Sequence, residues 1–184
     1  MLCTANQCRS PMAEALFRDR LAAAGIDAAV SSAGELPGGV RASAGSVRAM
    51  AARGLDLSSH VSREFTPEMV ERADLVLTMA RRHLRNAVML RPDAFSRTYT
   101  LKELVRRGDA VGPRRADQSL DGWLAELHVG RTRSSLLGDD PRDDVADPIG
   151  GPDALYEETA VELTQLVDRA VALAFAAAHQ RESA

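Results

Sequence analysis

The hydrophobic and polar positions of the chain alternate between helical and strand spacing, which predicts an α/β fold. Residues 10–24 carry apolar side chains at helical spacing, with Ser10 as the expected cap, Pro11 in the first turn and Gly25 as the stop. Residues 26–33 are then typical of a short strand. Alternation of this kind predicts an α/β sandwich with a mostly parallel sheet. Further helices are predicted over 42–53, 66–72, 81–90 and from 102, and further strands over 73–79 and 97–101.

The composition changes over residues 108–144, where Gly, Arg, Asp and Ser are frequent and a surface loop is expected. Within this segment, Ser119 suits the cap of a short amphipathic helix that contains Trp123. Trp123 is expected to attach the segment to the body of the protein, with a binding role as the alternative. A long helix is predicted over 153–179. The apolar face of the short helix consists of Leu120, Trp123, Leu124 and Leu127.

Composition and charge are those of an ordinary globular protein. The 184 residues are 45% hydrophobic and 27% charged, which predicts a single domain over 1–184 with 108–144 as an insertion. A net charge of −3 gives no support to a nucleic-acid-binding surface. The chain has no run of about 18 apolar residues and no signal-peptide pattern after Met1, so we expect no membrane insertion and a cytoplasmic location.

The cysteine and histidine positions argue against a disulfide framework and against a metal site. The two cysteines, Cys3 and Cys8, lie close together at the N-terminus, so they cannot form a disulfide framework for a chain of this length. The histidines occur singly, without the paired spacing of zinc ligands. We therefore predict no metal and no cofactor. The histidines are His60, His83, His128 and His179.

The strongest candidate for chemistry is the stretch from Cys3 to Ser10. It places a thiol, five further residues, Arg9 and a hydroxyl directly before a predicted helix. Successive backbone N–H groups of such a loop can bind an anion, the helix N-terminus adds positive potential, and a guanidinium can hold two phosphate oxygens. The same positive potential favours the thiolate form of Cys3, a nucleophile for phosphoryl transfer. The residues between the thiol and the guanidinium are Thr4, Ala5, Asn6, Gln7 and Cys8.

Longer motifs extend this pattern, and through them the chain resembles the low-molecular-weight protein tyrosine phosphatase family, in its bacterial branch. The string CTANQCRSPMAE over residues 3–14 carries the likeness, together with SAG over 32–34, GLDLSSHVSR over 54–63 and DPIG over 147–150. The likeness covers nearly all of the chain except 108–144. It implies a three-layer α/β/α sandwich with a four-stranded parallel sheet and a phosphate-binding loop at the N-terminus.

The resemblance also implies the reaction and its main residues. By this likeness, Cys3 is the nucleophile that forms a cysteinyl-phosphate intermediate, and Arg9 binds phosphate together with the amides of residues 4–10. Asp147 protonates the leaving phenolate and then activates water, although by itself it is also typical of a solvated acidic loop. The implied substrate is a phosphotyrosine protein or a small aryl phosphate, and the product is inorganic phosphate.

Supporting and redox roles follow from the same resemblance. Asn6, Ser32 and His60 are implied to hold the loop in shape through hydrogen bonds. By itself His60 is more typical of a structural histidine, which is nearly the same role. Cys8 either packs in the interior or forms a disulfide with an oxidised Cys3, which protects Cys3 from irreversible oxidation.

Two positions depart from the family pattern and leave the substrate open. Ala5 replaces a usual glycine, which requires an ordinary φ at this position. Gln7 is neither the aliphatic residue common in tyrosine phosphatases nor the threonine of arginine phosphatases. An arsenate reductase of the same fold is one alternative, weakened because the chain lacks the additional distal cysteines of thioredoxin-coupled forms. A non-catalytic phosphate-binding regulatory protein is the other.

The N-terminus also differs from the family pattern. The resemblance implies an apolar strand of about five to seven residues before the loop. Here only Met1 and Leu2 precede Cys3, so the first strand is expected to be truncated. We expect the native product to begin upstream of Met1 with a short hydrophobic segment.

Overall fold

The fold is built around a parallel sheet of four short strands in the order β2-β1-β3-β4. A computed structural model describes residues 1–138 and 140–175 of the chain. Neighbouring strands are parallel because helical connections return the chain to the same end of the sheet each time. The strands are β1 (Leu2–Cys3), β2 (Ala33–Gly34), β3 (Val76–Thr78) and β4 (Thr98–Thr100).

The helices of the described residues follow the predicted periodicity closely, and most begin at a side-chain cap. The hydroxyl groups of Ser43, Thr66, Thr100 and Ser119 each accept a hydrogen bond from a backbone N–H in the first turn of the helix that follows. Two short 3₁₀ segments, Pro92–Arg97 and Arg133–Leu136, complete the set. The helices are α1 (Arg9–Ala23), α2 (Ala44–Ala51), α3 (Pro67–Arg72), α4 (Arg81–Leu90), α5 (Leu101–Val111), α6 (Leu120–His128) and α7 (Asp153–Ala174).

Side chains alternate between the two faces of the sheet, and each face has its own hydrophobic core. On β1, Cys3 belongs to the core that includes residues of α1, α2 and α7, whereas Leu2 belongs to the core that includes residues of α3 and α4. On β3, Leu77 and Val76 divide in the same way. The protein is therefore a three-layer α/β/α sandwich with a four-stranded parallel sheet, and the predicted fold class is confirmed.

The strand predicted over 26–33 is wrong for most of its length, because only Ala33 and Gly34 form β2. A strand needs a neighbouring strand to pair with, and β1 provides only two residues for pairing with β2. The hydrogen bond between Met1 and Ser31 is the last one between these two segments. Residues 27–32 instead border a groove of about 410 Å³ beside Met1, whose other wall includes residues 72–77.

The predicted start of the first helix is wrong, and the predicted end of the last helix lies outside the described residues. Ser10 does not cap α1: the helix begins at Arg9, its cap position is Cys8, and no side chain caps it. The first N–H groups of α1 therefore have no side-chain acceptor, and the Ser10 hydroxyl lies against the sulfur of Cys3 instead. The helix predicted over 153–179 is present as far as Ala174, and its predicted end lies outside the described residues.

Two buried side chains attach the segment after α5 to the rest of the protein. Trp123 on α6 is fully buried, and its Nε1 donates to the carbonyl of Gly112 at 3.0 Å, which fits the expected attachment. The Arg131 guanidinium lies 4.5 Å from the ring centre of Phe95 and 3.9 Å from that of Tyr99. It also donates to the main-chain carbonyl of Phe95 at 2.8 Å. That 1–184 is one domain with an insertion at 108–144 stays a prediction.

Candidate active site

The candidate site is the loop between β1 and α1, at the carboxyl end of the sheet. Cys3 is 3% exposed, and its Sγ lies 3.0 Å from the hydroxyl oxygen of Ser10. The backbone N–H of Asn6 donates to the same sulfur at 3.3 Å. Two hydrogen-bonding groups therefore reach the sulfur of Cys3, and both stabilise a negative charge on it.

Most backbone N–H groups of the loop have no acceptor within residues 1–138 and 140–175. Among the described residues, the N–H groups of Thr4, Ala5, Gln7 and Cys8 donate to no carbonyl or side chain. Asn6 has a φ of +54°, in the left-handed region, which curls the loop. Ala5 has no such positive φ, as the alanine at this position requires. The loop thus offers a set of unpaired donors next to a helix N-terminus.

The side chain of Asn6 holds the loop to its surroundings. Its Nδ2 donates to the hydroxyl of Ser10 at 2.9 Å and to that of Ser32 at 2.7 Å. Its Oδ1 accepts from the backbone N–H of Arg63 at 3.0 Å. The Nε2 of His60 lies 2.8 Å from the backbone carbonyl oxygen of Asn6. The structure therefore brings together the three residues predicted to support the loop, Asn6, Ser32 and His60.

Gly34 lets the loop lie directly on β2. A Cβ at this position would lie 2.7 Å from the nitrogen of Asn6 and 2.8 Å from the carbonyl oxygen of Thr4. Both atoms belong to the backbone and cannot rotate away. Only glycine allows this approach, which gives the predicted Ser-Ala-Gly motif a steric reason.

Arg9 is buried beneath the loop and connects it to the segment around Asp147. Its Nη2 lies 2.5 Å from Oδ2 of Asp147, and its Nη1 donates to the carbonyl of Val145 at 3.1 Å. Its Nε is buried and has no hydrogen-bond partner among the described residues. An unpaired, buried N–H on a cation is costly, so this atom is suited to an anionic ligand.

Asp147 is more exposed than Arg9, since 33% of its side chain contacts solvent. Its Oδ1 accepts from the backbone N–H of Ile149 at 3.3 Å. Upstream, the N–H of Val145 donates to the carbonyl of Met79, just after β3, at 2.9 Å. The structure thus brings Cys3, Arg9 and Asp147, which are distant in sequence, to one place.

Cys8 lies in the same loop but faces the interior. Its Sγ donates to the hydroxyl of Ser43 at 3.2 Å, and Ser43 in turn lies 2.8 Å from the hydroxyl of Ser46. Burial raises the pKa of the Cys8 thiol, so Cys8 is protonated at neutral pH. Both cysteines are free thiols in this structure.

Sequence reasoning missed the side chains that hold Thr4. The Thr4 hydroxyl accepts from Nη2 of Arg82 at 2.6 Å and lies 3.0 Å from Nε2 of His83. Burial, followed by the charges of Arg9 and Arg82, lowers the pKa of His83 to about 3, so the imidazole is neutral. His83 lies within the helix predicted over 81–90, and a single histidine gives no spacing to interpret, so the sequence carries no signal for this contact.

The fold and loop together define a class: an α/β enzyme in which a cysteine thiol and a loop with unpaired backbone donors meet at the start of a helix. The family model described as "Low molecular weight phosphotyrosine protein phosphatase" matches residues 1–112. The chain therefore belongs to the low-molecular-weight phosphotyrosine protein phosphatase family, which consists of hydrolases. The predicted family and enzyme class are confirmed.

The relatives of this chain are named as phosphatases of two kinds, for phosphoarginine and for phosphotyrosine in proteins. The protein-arginine-phosphatase of Bacillus subtilis is 39% identical over 116 residues, which cover 61% of this chain and 76% of that protein. A probable low-molecular-weight protein-tyrosine-phosphatase of Ralstonia solanacearum, EpsP, is 35% identical over 104 residues, 56% of this chain and 70% of that protein. The crystal structure of the low-molecular-weight protein tyrosine phosphatase from T. tengcongensis is similar with a TM-score of 0.70 and 32% identity, over 92% of this chain and 94% of that one.

Two further observations concern residues 1–138 and 140–175 alone. No helix in them is long and apolar enough to cross a membrane. No group of three His, Cys, Asp or Glu side chains in them is placed to hold a metal ion.

Proposed function

We propose that this protein hydrolyses phosphotyrosine monoesters through a cysteinyl-phosphate intermediate. The observation that carries the proposal is the loop that follows Cys3: its backbone N–H groups and the buried Nε of Arg9 at its end are unpaired among the described residues. A phosphoryl group bound there satisfies these donors with its three non-bridging oxygens.

In the first step, the Cys3 thiolate attacks phosphorus and the bond from phosphorus to the phenolic oxygen breaks. The proton of Asp147 passes to the leaving oxygen, so tyrosine departs neutral and Asp147 becomes a carboxylate. Arg9 and the loop N–H groups bind the non-bridging oxygens, whose charge is delocalised in the transition state.

In the second step, water attacks phosphorus and the bond from phosphorus to sulfur breaks. The Asp147 carboxylate takes a proton from the water, which restores the acid for the next cycle. The Ser10 hydroxyl, 3.0 Å from Sγ, donates a hydrogen bond to the departing thiolate. Inorganic phosphate is released.

The rim of the site supports an aryl leaving group. The backbone N–H of Leu36 donates to the Thr4 carbonyl at 3.0 Å, and Ile149 lies two residues after Asp147; these side chains are about half exposed, at 49% and 51%. Apolar side chains on both sides of a phosphate site suit a phenyl ring, which buries apolar area on binding.

Phosphoarginine is a second candidate, favoured by the relative from Bacillus subtilis. The side chain of Gln7 lies in the loop and has no hydrogen-bond partner among the described residues. Its amide oxygen can accept from a guanidinium N–H, which a phenyl ring does not offer. Assays on two peptides of identical sequence, phosphorylated on tyrosine or on arginine, therefore decide between these substrates.

The test of the proposal is Cys3→Ser, with Cys8→Ser as the matched control. Cys3→Ser should lose all turnover of phenyl phosphate yet keep its affinity for inorganic phosphate, because the N–H groups and Arg9 remain. Cys8→Ser should retain turnover. Turnover by Cys3→Ser contradicts the proposal. Phosphate binding without turnover in the wild type supports the non-catalytic alternative, and arsenate-dependent thiol oxidation supports the reductase.

A cytoplasmic location is part of the proposal. The mechanism needs Cys3 as a reduced thiolate, and a second thiol lies in the same loop. Reducing compartments keep such thiols free, whereas oxidising ones favour disulfides.

A further inference from the structure

Asp143 is a buried carboxylate that connects two helices to the segment bearing Asp147. It is 2% exposed, and its oxygens face two guanidinium groups. Oδ2 lies 3.1 Å from Nε of Arg81 at the start of α4, and Oδ1 lies 2.7 Å from Nη2 of Arg106 on α5. A buried carboxylate between two cations has a strongly preferred position.

The next two residues are also fixed by hydrogen bonds. Oδ1 of Asp144 accepts from the backbone N–H of Arg81 at 2.8 Å, at the start of α4. The N–H of Val145 donates to the carbonyl of Met79 at 2.9 Å. Three successive residues, 143–145, are therefore bonded to the elements that follow β3 and β4.

This segment reaches the reacting groups directly. The carbonyl of Val145 accepts from Nη1 of Arg9 at 3.1 Å, and Asp147 lies two residues further along. The hydrogen bonds of the Asp147 side chain among the described residues are those to Arg9 and to the N–H of Ile149. The position of its carboxyl group therefore depends on where residues 143–145 lie.

We propose that Asp143 is a positioning residue for the proton transfer made by Asp147. This inference rests on the proposed function. Asp143 does not contact substrate; it acts by fixing the segment that carries the acid. Proton donation depends on geometry at the scale of fractions of an ångström, so a small shift of this segment weakens protonation of the leaving group.

The experiment compares leaving groups. kcat/KM reports the steps up to departure of the phenol. Protonation by an acid matters more for phenyl phosphate, with a basic leaving group, than for p-nitrophenyl phosphate, with a weakly basic one. We expect Asp147→Asn to lower kcat/KM by about 100-fold more on phenyl phosphate than on p-nitrophenyl phosphate, and Asp143→Asn by about 10-fold more.

Arg106→Gln provides a second variant, since half of the Arg106 side chain is exposed and its loss disturbs packing less. Its loss of kcat/KM should also be larger on phenyl phosphate than on p-nitrophenyl phosphate, by about 3-fold. This variant replaces Asp143→Asn in the test if Asp143→Asn does not fold. Arg142→Gln is the matched control, because it removes an exposed ion pair, Arg142 with Asp140, from the same segment. It should lower neither rate.

The outcomes separate the inference from the proposed function. A bias in Asp147→Asn together with equal losses on both substrates in Asp143→Asn and Arg106→Gln overturns the positioning role alone. The absence of any bias in Asp147→Asn overturns the proposed role of Asp147, and the inference with it. Bias in all three variants, with Arg142→Gln unchanged, supports both.

Discussion

The Nη2 atom of Arg9 lies 2.5 Å from Oδ2 of Asp147, so the proposed phosphate-binding cation is paired with the proposed acid. Only the Arg9 side of this pair is buried, at 4% exposed against 33% for Asp147. Asp147 can therefore turn towards solvent or substrate while Arg9 stays in place. An incoming phosphoryl group competes with the Asp147 carboxylate for the same guanidinium.

This competition predicts a gain of affinity on removing the acid. Asp147→Ala should bind inorganic phosphate about 10-fold more tightly at neutral pH, because a negative charge next to the anion is lost. Isothermal titration calorimetry on wild type and variant measures the difference. Unchanged or weaker binding would mean that Asp147 does not compete for Arg9.

Arg9→Lys should reduce kcat/KM by about 100- to 1000-fold, because a lysine has neither the planar fork nor an equivalent of the buried Nε. Its ammonium is a single point charge that cannot bond the Val145 carbonyl and phosphate in one plane. Circular dichroism should show an intact fold. Activity within about threefold of wild type would show that charge alone suffices at this position.

Two variants of Asn6 separate the contribution of its side-chain hydrogen bonds from the strain of its left-handed backbone. Asn6→Ala should lose stability by about 1–2 kcal/mol from backbone strain, in addition to the lost hydrogen bonds. Asn6→Gly removes the same side chain but has no such strain, so it should be the more stable of the two. Both variants should be less active than the wild type, because the hydrogen bonds from Asn6 to Ser10 and Ser32 are gone. Chemical denaturation and turnover of phenyl phosphate provide the measurements.

Hydrogen peroxide should inactivate the enzyme reversibly. Oxidation of Cys3 to a sulfenic acid releases one water, and attack by Cys8 then forms the disulfide and releases a second. Cys8→Ser should lose activity at a similar rate but recover less than half of it with dithiothreitol. Peptide mapping that finds Cys8 free after mild oxidation of wild type argues against this disulfide.

The groove beside Met1 predicts a dependence on pH. Burial lowers the pKa of the Met1 ammonium to about 6, below its value of about 8 in the unfolded chain. Between these values the unfolded chain binds more protons, so stability should rise from pH 6 to pH 8. Thermal unfolding of the chain at several pH values measures this trend.

A short segment added before Met1 tests the same groove. An apolar extension of about five residues should remove the pH trend and raise Tm, by about 2–4 °C for each kcal/mol gained. A Gly-Ser extension of equal length should remove the trend without raising Tm. A persistent pH trend in both extended forms would assign it to another group.

The position of the candidate site can be predicted from the sequence because its signals are local. The spacing of Cys3 and Arg9 and the resemblance of the surrounding motifs were enough to indicate the loop, and Gly34 and Asn6 followed with them. Helices with an apolar stripe, such as α4 and α6, were placed with nearly correct ends for the same reason.

What sequence reasoning missed depends on contacts between distant parts of the chain. Asp143 belongs to a run of aspartates that is typical of a solvated loop, and only the fold places it between Arg81 and Arg106. The strand over 26–33 has suitable residues, but a strand forms only where a neighbour pairs with it. Ser10 is a good capping residue, yet the helix begins at Arg9, and the Ser10 hydroxyl bonds to the sulfur of Cys3 and to Nδ2 of Asn6 instead.

Arg131 has a consequence for how the molecule behaves at high concentration. β4 is an edge of the sheet, and edge strands invite pairing with strands of other molecules. Nη2 of Arg131 donates to the carbonyl of Thr98 on this strand at 2.7 Å. Arg131, in the segment that follows α6, thereby occupies one main-chain acceptor of the edge strand, and this acceptor is no longer free for a strand of another molecule.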